Sequence, residues 1–187
     1  LAAAGLPDGT ITFVDAIGED ALLVWVHGGG LYRSTDAGAS FVPVSSPPVQ
    51  PLMSAFNPRG EIYPTDTAVA ADGRVWLTGI GGLFYSDDLG DTFTAADLSG
   101  ASFNVLFTGV DVEDEAVFAV SQLADSILPS SYQGLLSGVA FYSDDGGESF
   151  ESLDADLTVD APTGAAFFEG RPCLSAIDGG ALCYDEG

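Results

Sequence analysis

The sequence predicts an all-β chain made of β-propeller blades, each a four-stranded antiparallel sheet: three complete blades and most of a fourth, read as a segment of a larger propeller. Three observations predict it. One ungapped motif recurs at about the length of a blade, short β-rich runs flank every copy, and no stretch carries the period of a long amphipathic helix.

The copies read LYRSTDAGASF at 31–41, LFYSDDLGDTF at 83–93 and AFYSDDGGESF at 140–150. Their common pattern is Ser-x-Asp-x-Gly-x-Ser/Thr-Phe, preceded by apolar or aromatic positions. It singles out Ser34, Asp36, Gly38 and Phe41, then Ser86, Asp88, Gly90 and Phe93, then Ser143, Asp145, Gly147 and Phe150. A weaker fourth copy closes the sequence, with Cys183 in the Ser position followed by Asp185 and Gly187.

Each unit supplies its strands in order. The first blade, 10–44, has runs at 10–16, 21–26, 31–34 and 41–44, parted by Gly18-Glu19-Asp20, by the triple glycine Gly28-Gly29-Gly30 and by the motif itself. The second, 67–95, repeats this at 67–71, 74–80, 83–86 and 92–95, with Ala71-Asp72-Gly73 as a tight-hairpin signal. The third, 103–153, has runs at 103–112, 116–123, 139–143 and 149–153. The fourth, 164–187, offers 164–168, 173–177 and 181–184 and no last strand. Residues 45–64, with Pro47, Pro48, Pro51, Pro58 and Pro64, read as an inter-blade loop that proline keeps out of the sheet. Residues 124–138 read as an insertion in the third blade. Long loops on a rigid scaffold carry function often enough to make this the first place to look, against the plainer reading of a surface elaboration.

The motif has a mechanical explanation. A short acidic side chain at the turn between third and fourth strands accepts bonds from nearby backbone N–H groups, and the glycine permits a backbone angle other residues resist. The serine bonds across the turn and the closing phenylalanine packs between sheets. The pattern resembles the Asp-box, or bacterial neuraminidase repeat, of sialidase-like β-propellers, with three good copies and a partial fourth spread over 31–187. Sialidases, xyloglucan-type glycosidases, sortilin-type receptors and photosystem II assembly factors share it. The resemblance implies that the motif residues are scaffold at the blade periphery, away from the axis where active sites lie.

The sialidase set that the resemblance implies, three carboxylate-binding arginines with a Tyr/Glu pair and an acid, is not met. Arg33 lies inside the motif, Arg74 opens a strand, only Arg59 and Arg171 remain, and the Arg-Ile-Pro signature is absent. A Ser-His-Asp set fails because the one histidine, His27, sits beside a glycine turn with no nucleophile elbow. No catalytic residue is assigned. A two-carboxylate glycosidase stays open, since an acidic chain offers many pairs whose separation is not a sequence property.

The net charge of −24 arises from 28 acids against four arginines and no lysine. Such a surface repels phosphate backbones and anionic head groups, so neither nucleic acid nor direct membrane insertion is expected. Solubility or a salty medium explains the acidity; calcium uptake or docking to a basic partner would be sharper readings. Calcium is the one cofactor left open. Asp87-Asp88-Leu89-Gly90-Asp91, 111–115 and Asp144-Asp145-Gly146-Gly147-Glu148 offer hard oxygen ligands, but none has EF-hand spacing and the motif carboxylates already serve the backbone.

Cys173 and Cys183 are the only cysteines. If Asp178 centres a hairpin they face each other across antiparallel strands, as a disulfide or as two reduced core thiols. A disulfide would mean an oxidising compartment, hence a secreted, periplasmic or cell-surface location. Residues 1–6 lack a basic n-region, so either a signal has been removed or the chain starts inside a larger protein. No window approaches the roughly 18 apolar residues of a membrane-spanning helix. Two functions follow: a non-catalytic extracellular or envelope module that binds protein or glycan through its loops, or a fragment of a secreted glycoside hydrolase whose other blades complete the site.

Overall fold

The computed structural model describes residues 4–45, 63–98, 106–122, 140–153, 162–176 and 180–184. The insertion at 124–138, Arg59, Asp178, Asp185 and Gly187 lie outside the described residues. Every described element is a β-strand, and strands consecutive within a blade pair antiparallel.

Blade one is β1 (Ile11–Ala16), β2 (Leu22–Val26), β3 (Gly30–Ser34) and β4 (Val42–Pro43), hydrogen-bonded in that order. Blade two is β5 (Tyr63–Val69), β6 (Val75–Ile80), β7 (Gly82–Ser86) and β8 (Thr94–Ala95). Blade three is β9 (Leu106–Glu113), β10 (Ala116–Gln122), β11 (Ala140–Ser143) and β12 (Glu151–Ser152). The fourth sheet holds β13 (Pro162–Phe168), β14 (Arg171–Ala176) and β15 (Gly180–Cys183). One bridge, Ile80 to Leu106, ties blades two and three into a single eight-stranded sheet.

Side-chain alternation explains the stacking. On β2, Leu23 and Trp25 point toward blade two, where Val75, Leu77, Phe84 and Phe93 meet them, while Val24 and Val26 point the other way. On β10, Val117 and Ala119 join Trp76, Leu83 and Phe107 on one side, and Phe118 and Val120 join Leu174 and Ala176 on the other. A central strand thus carries apolar side chains on consecutive positions, as Leu23–Val26 and Val117–Val120 do, because both faces are covered. Each large side chain so buried stabilises by about 1.5–3 kcal/mol relative to exposure.

Every innermost strand carries one irregularity at the same place. Register shifts fall at Thr12 of β1, Thr65 of β5, Thr108 of β9 and Thr163 of β13, each a threonine bulged out of its pairing. Thr65 Oγ1 donates to the Phe107 carbonyl at 2.7 Å and Thr108 Oγ1 to the Pro162 carbonyl at 2.8 Å, so a bulge in one blade bonds the innermost strand of the next.

The joints also repeat at the rim. Ser45, just past β4, makes a parallel bridge to Thr92 of the second blade's Asp turn; Ala4 makes the same parallel bridge to Ser40, the equivalent residue of the first. Residue 4 therefore lies on blade one as the exit from blade one's outer strand lies on blade two. Leu6 continues over Val24, Val26 and Phe41.

Three expectations are corrected. Proline does not keep 45–64 wholly out of the sheet: Tyr63 and Pro64 open β5, with Pro64 opposite Gly79 next to the bulge, a strand-end position where a missing donor is tolerated. The outer strands are shorter than their β-rich runs, two residues each, because the Asp turn takes up the residues before them. Finally, Cys183 does not share the face of the motif serines. It pairs with Cys173 on the side opposite Leu174, which packs on blade three, and Tyr184 takes the blade-three side. A copy lacking both serine and phenylalanine gives an ungapped alignment nothing to fix its register.

Candidate functional site

The Asp turns are built alike. Ser34 Oγ donates to Asp36 Oδ1 at 2.8 Å and accepts the Gly38 N–H at 2.9 Å; Asp36 then accepts the Ser40 N–H at 2.8 Å and its hydroxyl at 2.6 Å. Ser86, Asp88, Gly90 and Thr92 repeat these bonds, as do Ser143, Asp145, Gly147 and Ser149. The serines are buried and the carboxylates face solvent. Bonds from Ser40, Thr92 and Ser149 lower Asp36, Asp88 and Asp145 to about 2 from an ordinary 3.8.

The glycines do more than turn the chain. Gly38, Gly90 and Gly147 have φ of 84°, 79° and 85°. A Cβ on Gly90 would stand 2.8 Å from Ile17 Cδ1, and one on Gly147 only 2.3 Å from the Trp76 ring. Each of these two turns therefore sits on an apolar side chain of the preceding blade. Phe93 and Phe150 pack on the same sides, Phe150 edge-on to Trp76 with ring centres 5.8 Å apart.

Arginine reinforces these joints. Arg33 donates to the Asp88 and Leu89 carbonyls and pairs with Asp91 at 2.7 Å; Arg74 pairs with Asp87 at 2.7 Å and donates to the Gly146 carbonyl at 2.9 Å. Neither remains a free carboxylate clamp. Arg171 lies on β14, and His27 is exposed where β2 ends.

Nearer the innermost strands stands a set that sequence reasoning missed. Asp15, Asp66 and Asp111 each accept their own next N–H with one oxygen and reach the following blade with the other. Asp15 meets the Thr67 hydroxyl, Asp66 the Val110 N–H at 3.1 Å and Asp111 the Phe167 N–H at 2.8 Å. Burial, reinforced by Asp15 and Asp111, raises Asp66 above the usual range against its two backbone bonds. The signal was in the sequence: VDA, TDT and VDV, an acid between β-forming residues in or just before the first run of each of the first three units. These carboxylates hold joints and form no free acid/base pair. Among the described residues, no three His, Cys, Asp or Glu are grouped to hold a metal ion.

The joint between blades two and three also contains a cleft of about 560 Å³, lined by Ala70, Arg74, Trp76, Asp114, Glu115 and Gly146 among others. Two small residues, Ala70 and Gly146, open it where the neighbouring joint is filled. Between blades one and two, Ile17 fills the position corresponding to Ala70, and Leu89, with its Cδ1 3.3 Å from where a Cβ on Gly18 would stand, fills the one corresponding to Gly146. Trp76 forms part of the lining, fully buried, with its Nε1–H unpartnered among the described residues.

Known structures agree with this architecture. The chain superposes on the extracellular domain of the BT4673 system of B. thetaiotaomicron with a TM-score of 0.66 at 14% identity, covering 99% of this chain and 23% of that one. The chain has the β-propeller fold. This partial propeller also superposes on the GH74 xyloglucanase of Xanthomonas campestris (TM-score 0.58, 18% identity, 88% of this chain and 26% of that one). A third match is YCF48 bound to D1 peptide (TM-score 0.60, 10% identity, 100% and 58%). The propeller chain thus spans 23–58% of the lengths of these three structures. No family model and no curated protein sequence matches the chain.

The disulfide is formed. Cys173 and Cys183 are bonded across β14 and β15 with Cα atoms 4.0 Å apart, and Pro172, beside the bridge, accepts the Tyr184 N–H at 2.9 Å.

Proposed function

We propose that this chain is an arc of a larger Asp-box propeller, working outside the cell or on its envelope as a non-catalytic module that binds protein or glycan. The observation that carries the reading is how the acids are used. Asp36, Asp88 and Asp145 hold turns, and Asp15, Asp66 and Asp111 hold blades together. The carboxylates with defined geometry are thus occupied as scaffold, and recognition falls to the rest of an acidic surface.

The bridge from Ala4 to Ser40 supports a further blade seated against blade one, because it repeats the Ser45–Thr92 contact between two blades already in place. The disulfide supports an oxidising compartment. Among the similar structures, one is an extracellular domain and one holds a peptide; another is a glycosidase, which keeps hydrolysis as the outcome to test against. Screening a panel of oligosaccharides and peptides for both binding and cleavage decides it. Saturable binding without turnover is expected; turnover that tracks the pure protein would overturn the reading.

A further inference from the structure

We infer that the cleft between blades two and three seats a lysine side chain of a partner protein. This rests on the binding-module reading and gives it a place and a chemistry. The cleft is made by two residues that differ from the neighbouring joint: Ala70 stands where Ile17 fills blade one, and Gly146 stands where Leu89 closes the gap from above. Side chains are tolerated at the Gly146 position, since Ala37 and Leu89 occupy it in the other turns with φ of 54° and 55° and Gly146 itself has 71°. Turn geometry does not demand this glycine, and a Cβ there would meet nothing within 4 Å.

The chemistry inside selects the occupant. Asp72, Asp114 and Glu115 line the cleft, and Arg74, the one cation among its described lining residues, is neutralised by Asp87 at 2.7 Å. The field is therefore negative, within a chain of net charge −24, and draws a cation. Ala70, Ala71 and Val117 offer an apolar wall for an aliphatic stem, while Asp114 and Glu115 receive the ammonium at the mouth. The buried Trp76 indole forms part of the lining of the cleft, so it senses what enters there. These 187 residues contain no lysine, so the lysine in the cleft comes from outside them.

The two tryptophans make the test direct, because Trp25 lies in the joint between blades one and two and serves as an internal control. The indole N–H signals of the nitrogen-15-labelled protein are followed during titration with acetyl-Gly-Lys-Gly-amide, with the Glu and norleucine peptides as controls. The Trp76 signal is expected to move saturably in the millimolar range with the lysine peptide alone, while Trp25 stays. Gly146→Leu and Ala70→Ile, each copying the filling of the neighbouring joint, should weaken binding at least about tenfold. Asp114→Asn combined with Glu115→Gln, on an exposed turn, should weaken it as well. A still Trp76 signal, an equal response to the Glu or norleucine peptide, or unchanged binding in the folded variants would overturn the proposal. If panel binding survives these variants, the module reading stands without the cleft; if neither the panel nor the lysine peptide binds, both fall.

Discussion

Trp76 of blade two lies beneath Gly147 of blade three, so close that a Cβ at 147 would stand 2.3 Å from its Cη2 atom. The neighbouring Gly146 has nothing within 4 Å of its own Cβ position. Two adjacent glycines with similar positive φ are therefore separable by mutation. Gly147→Ala should cost about 2–4 kcal/mol, from overpacking and a left-handed backbone together, and Gly146→Ala no more than about 1–2 kcal/mol. Urea denaturation of both variants checks the difference.

Replacing a turn aspartate removes several bonds at once. Asp88 accepts from Ser86, from the Thr92 N–H and from the Thr92 hydroxyl, and Ser86 Oγ is buried. Asp88→Ala and Ser86→Ala should each lower stability by about 1–3 kcal/mol. Their double mutant should fall short of the sum, since the two residues share one network.

Acid should unfold the chain in a defined window. Asp36, Asp88 and Asp145 titrate at about 2 when folded against an ordinary 3.8. Between those values the unfolded chain binds more protons, so the stability these groups contribute is present above about pH 4 and is lost as pH falls toward about 2. Urea midpoints recorded down that range should fall steeply, and Asp88→Asn should flatten the slope by removing one of the three groups.

Asp66 carries the opposite sign. Burial with Asp15 and Asp111 nearby raises its folded value, so its contribution is greatest when it is protonated and declines as pH rises through that value. At neutral pH Asp66→Asn relieves the buried charge but keeps only one of the two acceptors, turning its NH2 toward the other N–H, and should cost less than loss of both. Asp66→Ala strips the Val110 and Thr67 N–H groups of their partner and should cost about 1–3 kcal/mol. Thermal melts at neutral pH separate the two.

Much of the fold was legible because it is periodic. Three ungapped copies around Asp36, Asp88 and Asp145 set the phase of the strands, and the runs beside them set their faces. The bonds within each turn were legible too, since Ser, Asp and Gly at that spacing act on their own backbone. What escaped were relations between blades. Nothing local about Gly147 tells that Trp76 lies beneath it, and the cleft at Gly146 is visible only when Ala70 is set against Ile17. The bulged threonines and the acids of the innermost strands recur in phase, but Thr65, Thr108 and Asp111 look like ordinary strand residues until the next blade supplies their partners.

Reduction offers a local probe. Breaking Cys173–Cys183 should lower stability by about 2–3 kcal/mol on the chain-entropy account. Hydrogen exchange should quicken in β13–β15 and leave β1–β8 protected, because the bridge touches only the last sheet.

The repeated threonine bulge bears on how such a chain grows. Thr65 and Thr108 both spend their hydroxyls on a main-chain carbonyl, a group every residue carries, so the contact asks nothing of the partner's side chain. A duplicated unit inserted after either of these two blades would find its acceptor already waiting. Joints that read the backbone tolerate drift in sequence, and two units can diverge until little but the Asp turn betrays their common ancestry.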